Sequence, residues 1–412
     1  MKNNLFTSKK LMLVLSFLGL YLLSAGASLA IFTILGGDSS STLVVNSDEL
    51  EAARSKLNAD LPRTEVCPIN GAKFTKVEKS IWEKRRPALV MVENSSEARP
   101  QSGLSKADIV YEAVAEGGIT RFMGVYYCGA AGSAVKVAPI RSSRIYFVNL
   151  AAGYGTNPIY LHQGAANRLC GDCPGGLKST SQVALKVDAY GALDKLGWRN
   201  GRSGNDLDGG FNVGYPVVVR DQNRLSSTPA AWEHSVVASL DAMYAEADKR
   251  GFAFKDADGT AWNKDFVEWK FVDGKSSSSG SAKNISFDFW SRYVDYSVEW
   301  NYDSATNAYK RNNGGKAHTD WEFDKPQIAA TNVAIMFVDE EGPVDSEKHM
   351  FYDVIGEGDA LIFQNGTVIT GSWSKESQFD REKFYDNNGD EVEFVRGPIW
   401  IELVPDGNDV EY

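Results

Sequence analysis

The chain has 412 residues, of which 43% are hydrophobic and 11% are aromatic, and its formal net charge is -11. This composition is typical of a folded globular protein and excludes a disordered chain. The acidic balance argues against a nucleic-acid-binding protein, because an acidic surface repels phosphate backbones. The chain is also longer than one typical core requires, so two domains are expected after the N-terminal segment.

The N-terminal segment has the pattern of a membrane anchor. Lys2, Lys9 and Lys10 precede residues 11–36, which contain no charged side chain. Basic residues before an apolar stretch place the N-terminus in the cytoplasm, and at about 1.5 Å per residue the stretch can cross a bilayer. We therefore expect an uncleaved, single-pass signal anchor in the cell membrane, with the body outside the cytoplasm. Small residues at positions 25–30 leave cleavage as a signal peptide, and secretion, as the alternative. No cysteine lies near the segment, so a lipid-modified cysteine is not expected.

The remaining organisation follows from shifts in composition and periodicity. We predict a cytoplasmic basic tail (1–10), the anchor (11–36), a stalk (37–80), an N-terminal domain (81–230) and a C-terminal domain (231–412). The stalk contains a predicted short helix over residues 47–57.

The C-terminal domain is predicted to begin with a helix over residues 232–250 and then to be rich in strands. The strand signals are a period-two pattern at 294–300, an apolar run at 332–338 and two Asn-Gly turns at 365–366 and 388–389. The predicted fold class is α+β, with a mixed α/β N-terminal domain, a β-rich C-terminal domain and one N-terminal transmembrane helix.

The four cysteines are Cys67, Cys128, Cys170 and Cys173. Because the N-terminus directs the chain to an oxidising compartment, disulfides are expected. Three pairings are possible, and we favour Cys67 with Cys128 and Cys170 with Cys173, since the Cys-Gly-Asp-Cys run can close a tight loop. A thioredoxin-like pair is disfavoured because Pro and two Gly follow Cys173, where that motif needs a helix. A zinc site lacks further ligands at suitable spacing.

A predicted hairpin supplies the first candidate site. Two strand-like runs within residues 109–127 flank Gly117-Gly118, a pair suited to a two-residue turn. A regular register would place Glu112, Glu116 and Arg121 on one face. Such a face is either a surface ion-pair ladder or a polar site, in which Arg121 orients an anionic or carbohydrate ligand, or one Glu acts as an acid or base.

An arginine-rich stretch at residues 139–144 supplies the second candidate site. It precedes an apolar run at 145–152, and Ser142 or Ser143 is predicted to cap a helix there. Arg141 and Arg144 would then strengthen an anion site at the helix N-terminus. The alternative is that both arginines pair with the protein's own acidic side chains.

The histidines are weaker candidates. His162 follows a predicted strand at a position where open α/β sheets bind ligands. His234 lies at the start of the predicted helix, where residues 233–235 could act as a cap, and His318 with Asp320 lies in a turn after two glycines. Nothing in their spacing demands a metal, and no nucleotide-binding glycine loop, zinc-protease helix or Gly-x-Ser-x-Gly motif is present. No cofactor and no metal are expected.

Several of these motifs together resemble the YerB-like family of bacterial envelope proteins. The resemblance rests on residues 99–104, 107–112, 116–122 and 139–144, and extends to 162–164, 220–221, His234, Tyr309, Arg311, His318, Asp320, 332–333 and 397–401. It implies an envelope protein with paired N- and C-terminal domains of unknown function. Many relatives are similar to lipoproteins with a lipidated cysteine, whereas here an apolar helix stands in that place. The matching positions nominate a site without naming a reaction: Glu112, Glu116, Arg121, Arg141, Arg144, His162, His234, His318 and Asp320.

Three functions are consistent with these features. The first is a membrane-tethered extracytoplasmic protein that binds an anionic or saccharide cell-wall component through an arginine-rich cleft. The second is a cell-wall glycan hydrolase or transferase that uses Glu112 and Glu116. The third is a scaffold that docks another membrane protein through its aromatic-rich C-terminal domain. Whether the chain is an enzyme is left open by the sequence.

Overall fold

The computed structural model describes residues 47–167, 183–225 and 228–412. The predicted cytoplasmic tail, the predicted anchor at 11–36 and the predicted Cys170–Cys173 pair lie outside these residues. Within the described ranges, no helix is both long enough and apolar enough to cross a membrane. All described residues belong to one compact unit.

Short helices and many strands alternate along the chain. The helices are α1 (Ser47–Arg54), α2 (Lys76–Trp82), α3 (Ile145–Ala151), α4 (Ala189–Lys195) and α5 (Leu240–Lys249). The strands of the first half are β1 (Glu65–Val66), β2 (Lys73–Phe74), β3 (Ala88–Glu93), β4 (Ile109–Glu116), β5 (Ile119–Tyr126), β6 (Lys136–Val137), β7 (Ile159–His162), β8 (Asp206–Asp208), β9 (Val218–Arg220) and β10 (Val236–Ser239). The strands of the second half are β11 (Phe271–Val272), β12 (Asn284–Phe287), β13 (Val298–Asp303), β14 (Ala308–Asn313), β15 (Lys316–Ala317), β16 (Ala329–Ala330), β17 (Asn332–Val338), β18 (Glu340–Glu341), β19 (Phe351–Tyr352), β20 (Gly356–Gln364), β21 (Thr367–Lys375), β22 (Lys383–Asp386), β23 (Phe394–Val395) and β24 (Ile399–Pro405). The α+β class and the β-rich C-terminal part are therefore confirmed.

One ten-stranded sheet runs through the body in the order β22-β21-β20-β17-β24-β4-β5-β3-β7-β8. It takes five strands from each predicted domain, and the two halves meet where β24 pairs parallel with β4, from Ile399 opposite Ile109 to Glu402 opposite Glu112. Strands β17, β24, β4, β3, β7 and β8 all run in the same direction. Their C-terminal ends therefore share one side of the sheet, which we call the carboxyl edge. The domain boundary at 230–231 stays a prediction.

The two faces of this sheet are covered differently. One face packs on a smaller sheet of β12, β13, β14 and β15, with β16 paired to β14, and the Trp300 and Trp400 rings meet there edge to face at 5.3 Å. On the opposite face, the Tyr146 hydroxyl of α3 donates to the Val114 carbonyl at 2.6 Å. Both faces are therefore buried, and a ligand reaches the central strands only at their ends.

Several predicted elements agree with the structure. The hairpin of β4 and β5 turns at Gly117-Gly118, and that of β20 and β21 turns at Asn365-Gly366. The predicted disulfide between Cys67 and Cys128 is confirmed and joins the N-terminal strand region to the end of β5.

Two predicted elements differ from the structure. The predicted helix over 232–250 is a short 3-10 turn, then β10, and only then α5. Val236 and Val237 are β-branched and pair with β9, and the Ser239 side chain caps α5, so the helix begins at Leu240. The predicted strand at 294–300 starts only at Val298, because residues 294–296 form a 3-10 turn.

Candidate functional site

The arginine-rich stretch at residues 139–144, called the arginine loop below, crosses the carboxyl edge. Its backbone is fixed to two strands: Arg141 N donates to Met91 O on β3 at 3.0 Å, and Ser143 N donates to Gly164 O after β7 at 2.9 Å. The loop thereby brings its side chains to the position where open α/β sheets hold ligands.

The predicted cap of the following helix is wrong. The N-cap residue of α3 is Arg144, and no side chain caps it. Ser143 instead shares a 2.6 Å hydrogen bond with the Tyr160 hydroxyl, and Ser142 Oγ donates to Gln163 O at 3.1 Å. Since α3 has only seven residues, the positive charge at this edge comes from guanidinium groups rather than from a helix dipole.

Glu116 lies between two buried arginines. Its Oε1 accepts from Arg121 Nη2 at 2.7 Å, and its Oε2 accepts from Arg144 Nη2. Burial alone would raise the pKa of Glu116, but the two guanidiniums hold it far below its usual range. The arginine side chains are almost fully buried, whereas 27% of the Glu116 side chain is exposed. One ionised carboxylate thus compensates two buried cations.

Glu93 binds the third arginine and a histidine. Its Oε1 lies 3.2 Å from Arg141 Nε, and its Oε2 lies 2.8 Å from His234 Nδ1. Glu93 also stands directly opposite Arg121 in the pairing of β3 with β5, so the two ion-pair groups are neighbours. The Arg141 side chain is 31% exposed, which makes it the most accessible of the three guanidiniums.

We call the set of Glu93, Glu116, Arg121, Arg141, Arg144 and His234 the edge cluster. It contains three arginines against two carboxylates, with His234 also 3.6 Å from the exposed Glu97. The sequence predicted five of its members. Glu93 was missed because it ends a buried apolar strand, where nothing in the local pattern distinguishes it.

His162 lies beneath the edge cluster and not in it. It is fully buried, and its ring nitrogens contact Asp206 Oδ1 at 2.6 Å and Gly164 O at 2.7 Å. Burial disfavours its charged form, but Asp206 and Asp208 raise the pKa of His162 to about 9. Both nitrogens therefore donate, and the imidazolium fixes the loop that receives Ser143. Its geometry is that of a positioning residue.

An exposed aromatic side chain adjoins the edge cluster. Trp232 is 61% exposed, and the Arg220 guanidinium lies 4.3 Å from the centre of its ring. Arg141 Nη1 reaches the carbonyl of the next residue, Glu233, at 3.3 Å. The sequence placed Trp232 at the start of the predicted helix over residues 232–250. Its place before a strand and its cation partner were not visible in the sequence.

Glu112 lies on the opposite face of the sheet from Arg121. A β-bulge between Val114 and Glu116 shifts the register, so that Arg121 opposes Ala113 and Glu112 opposes Phe122. The predicted common face of Glu112 with Arg121 is therefore wrong. One extra residue in a strand reverses which side chains share a face.

Glu112 and His318 belong to a buried polar network between the two halves of the chain. Arg311 Nη2 donates to Glu112 Oε2 at 2.5 Å, and Arg311 Nη1 donates to His318 Nδ1 at 3.0 Å. Burial and the Arg311 charge lower the pKa of His318 well below its usual value, so the ring is neutral. Glu402 lies beside Glu112, and burial and that like charge raise the pKa of Glu402 well above its usual value. This network holds strands together.

Asp320 fastens a loop. Its carboxylate accepts from the backbone amides of Gly103 at 2.8 Å and Ser105 at 2.9 Å, and the side chain is buried. Asp320, His318 and Glu112 are thus separated from the edge cluster by the sheet, while Arg121, Arg141, Arg144, Glu116 and His234 converge.

One group in the described part of the chain brings three potential metal ligands within 4.8 Å: Cys67, Asp108 and Cys128. Both sulfurs are joined in the disulfide, so neither offers a thiolate. Asp108 instead accepts from the backbone amides of Tyr127 and Cys128 at 2.7 and 2.9 Å.

Comparison with known proteins gives this arrangement a family. The N-terminal domain of a protein of unknown function (DUF3048) matches residues 74–188, and the C-terminal domain of the same family matches residues 285–401. A Bacillus subtilis (strain 168) protein named "Putative lipoprotein YerB" is 31% identical over 344 residues, which are 82% of this chain and 86% of the relative. The chain belongs to the YerB-like family.

The fold is also similar to that of a solved family member. The crystal structure of YerB protein from Bacillus subtilis matches with a TM-score of 0.63 and 27% identity, and the match covers 85% of this chain and 100% of that chain. The resemblance found in the sequence is thereby confirmed. The names of these two relatives state neither a reaction nor a ligand.

Proposed function

We propose that the chain is an extracytoplasmic envelope protein, tethered or exported by residues 11–36, that binds an anionic or saccharide component of the cell wall at the edge cluster. The observation that carries this proposal is the convergence of Arg121, Arg141 and Arg144 at the carboxyl edge, with Arg141 still partly exposed.

The charge arrangement supports binding of an anion. The three arginines of the edge cluster exceed its two carboxylates, and a fourth guanidinium, that of Arg220, lies in the adjoining surface. Guanidinium groups bind carboxylate and phosphate oxygens through paired hydrogen bonds. Trp232 offers a rigid apolar ring next to them, which suits the apolar face of a sugar.

The location has independent support. The Cys67–Cys128 disulfide is typical of an oxidising compartment, and the printed name of the Bacillus subtilis relative describes a lipoprotein. A binding protein needs no nucleophile. This agrees with the edge cluster, whose two carboxylates form ion pairs with arginines.

Catalysis by a Glu112 and Glu116 pair receives no support from the geometry. Glu112 is fully buried and bound to Arg311 on one face, whereas Glu116 contacts Arg121 and Arg144 at the edge. Paired glycosidase carboxylates must face one substrate across an open cleft. These two do not.

The test is a titration of the full-length protein with purified poly(glycerol phosphate) and, separately, with soluble peptidoglycan strands. Arg141→Ala should weaken binding by about tenfold or more, since one charge-assisted contact corresponds to at least that factor. Arg396→Ala is the matched control, because Arg396 is 25% exposed, pairs with one carboxylate and donates to backbone carbonyls, as Arg141 does. Equal affinities of the two variants, or no binding by the wild type, would refute the proposal.

A further inference from the structure

A cleft of about 790 Å³ lies at the other end of the carboxyl edge. Its walls come from residues 286–291 and 297–299, from Glu340 just after β17, and from residues 405–411 at the end of β24. Strands β17 and β24 run parallel to β4, so this cleft and the edge cluster lie on the same side of the sheet. A cleft at this side has the position in which such sheets hold ligands.

Two aromatic side chains shape the cleft. Trp290 and Tyr293 meet edge to face with their ring centres 5.5 Å apart. Tyr293 packs on Gly118 in the turn of the central hairpin, where a Cβ atom would lie only 2.4 Å from the ring. Trp290 Nε1 is held by both oxygens of Glu340 at 2.9 and 3.0 Å. The rings are therefore fixed in place, and Tyr293 is still 41% exposed.

The acidic and basic side chains that line the cleft are all acidic. Five carboxylates line it: Asp288, Glu299, Glu340, Asp409 and Glu411. Its lining contains no lysine, arginine or histidine, and none of the five carboxylates forms an ion pair with a basic side chain of the described ranges. Every acid of the edge cluster, by contrast, is paired with arginine. A concave surface of one charge sign concentrates ligands of the opposite sign.

We propose that this acidic, aromatic cleft binds an amino sugar through its protonated amine. The carboxylates attract the ammonium group, and the rings of Trp290 and Tyr293, which line the cleft, suit both a cation and the apolar side of a sugar. The volume of the cleft also favours an amino sugar, because about 790 Å³ accommodates one or two sugar rings. This site is separate from the edge cluster and does not depend on the function proposed for it.

A divalent cation fits the cleft less well. Calcium requires six to eight oxygens converging within about 2.6 Å of the ion. In the described residues, the carboxylates of the cleft do not form a group of three whose oxygens lie within 4.8 Å of one another. An ammonium group on a sugar makes no such geometric demand.

The experiment compares two sugars that differ in charge. The full-length protein is titrated calorimetrically with glucosamine and with N-acetylglucosamine, and glucosamine should bind at least about tenfold more tightly. The variant Asp409→Asn with Glu411→Gln should lose that preference. Both residues are exposed, so the variant is expected to fold normally.

Two control variants separate this site from others. Glu376→Gln removes an exposed carboxylate outside the cleft, and Arg141→Ala removes the accessible arginine of the edge cluster; both should bind glucosamine as the wild type does. Equal affinity for the two sugars, no binding of glucosamine, or unchanged binding by the double variant would overturn the proposal. Displacement of glucosamine by Ca²⁺ at equimolar concentration would also overturn it, in favour of a metal site.

Discussion

The substitution Glu116→Gln tests the electrostatic core of the edge cluster. The change keeps the size of the side chain and removes the charge that Arg121 and Arg144 share. Each carboxylate oxygen of Glu116 contacts one of the two guanidiniums, so in the variant the amide oxygen keeps one of these contacts and the amide NH₂ group, which cannot accept, faces the other guanidinium. Each arginine retains a single backbone acceptor, Ser142 O for Arg121 at 3.0 Å and Ser143 O for Arg144 at 2.8 Å.

The expected loss in the free energy of unfolding is about 3 kcal/mol. Removing one partner of a buried ion pair costs about 3–5 kcal/mol, and the lower end applies because Glu116 is partly exposed. Urea unfolding of the full-length protein at pH 7 measures the loss. Glu341→Gln is the control, because Glu341 pairs with Lys186 at an exposed site and should change the free energy by less than about 0.5 kcal/mol.

The same variant has a defined dependence on pH. Because the folded-state pKa of Glu116 is depressed, its contribution is fully present above the unfolded-state pKa of about 4.3 and is lost as the pH falls through the folded-state pKa. The difference between wild type and Glu116→Gln should therefore be constant from pH 6 to 8 and shrink towards pH 3. A loss below about 1 kcal/mol at pH 7, or a difference that grows on acidification, would refute the reasoning.

Three further substitutions probe other parts of the structure. Replacing Cys67 and Cys128 by serine opens a crosslink with a sequence separation of 61 and should cost about 4 kcal/mol in chemical unfolding; an unchanged midpoint would contradict this. Arg311→Met removes the ion-pair partner of the buried Glu112 and should lower the free energy of unfolding by about 3–5 kcal/mol. Adding Glu112→Met should restore part of this loss, whereas additive losses in the double variant would argue against the pair. His162→Gln should lower the free energy of unfolding by its full amount below pH 6.5. Because the folded-state pKa of His162 is raised, this loss should disappear as the pH rises through about 9. A loss that persists at pH 10 would contradict a charged imidazole.

Local patterns predicted the elements that depend on local chemistry. Gly117-Gly118 and Asn365-Gly366 were recognised as turns because few residue types adopt the required backbone angles, and both hairpins are present. The arginine loop was singled out by its composition, and its position at the carboxyl edge follows from β3 and β7.

Features that depend on distant pairing were not predictable from one sequence. The bulge between Val114 and Glu116 separates Glu112 from Arg121, and no turn residue marks it. The pairing of β24 with β4 joins residues almost 300 positions apart and decides that Glu402 lies beside Glu112. Trp232 was assigned to a helix because its neighbours also satisfy helical spacing, yet the paired β10 prevails over that local preference.

Hydrogen–deuterium exchange of the full-length protein with and without poly(glycerol phosphate) tests the central claim most directly, because it shows where an anionic wall polymer binds. Binding at the edge cluster should slow exchange in residues 139–144 and in residues 162–164, which the arginine loop contacts. Exchange in β20 and β21, far along the sheet, should not change. Protection confined to other segments, or none in residues 139–144 under saturating polymer, would contradict the assignment of the ligand site.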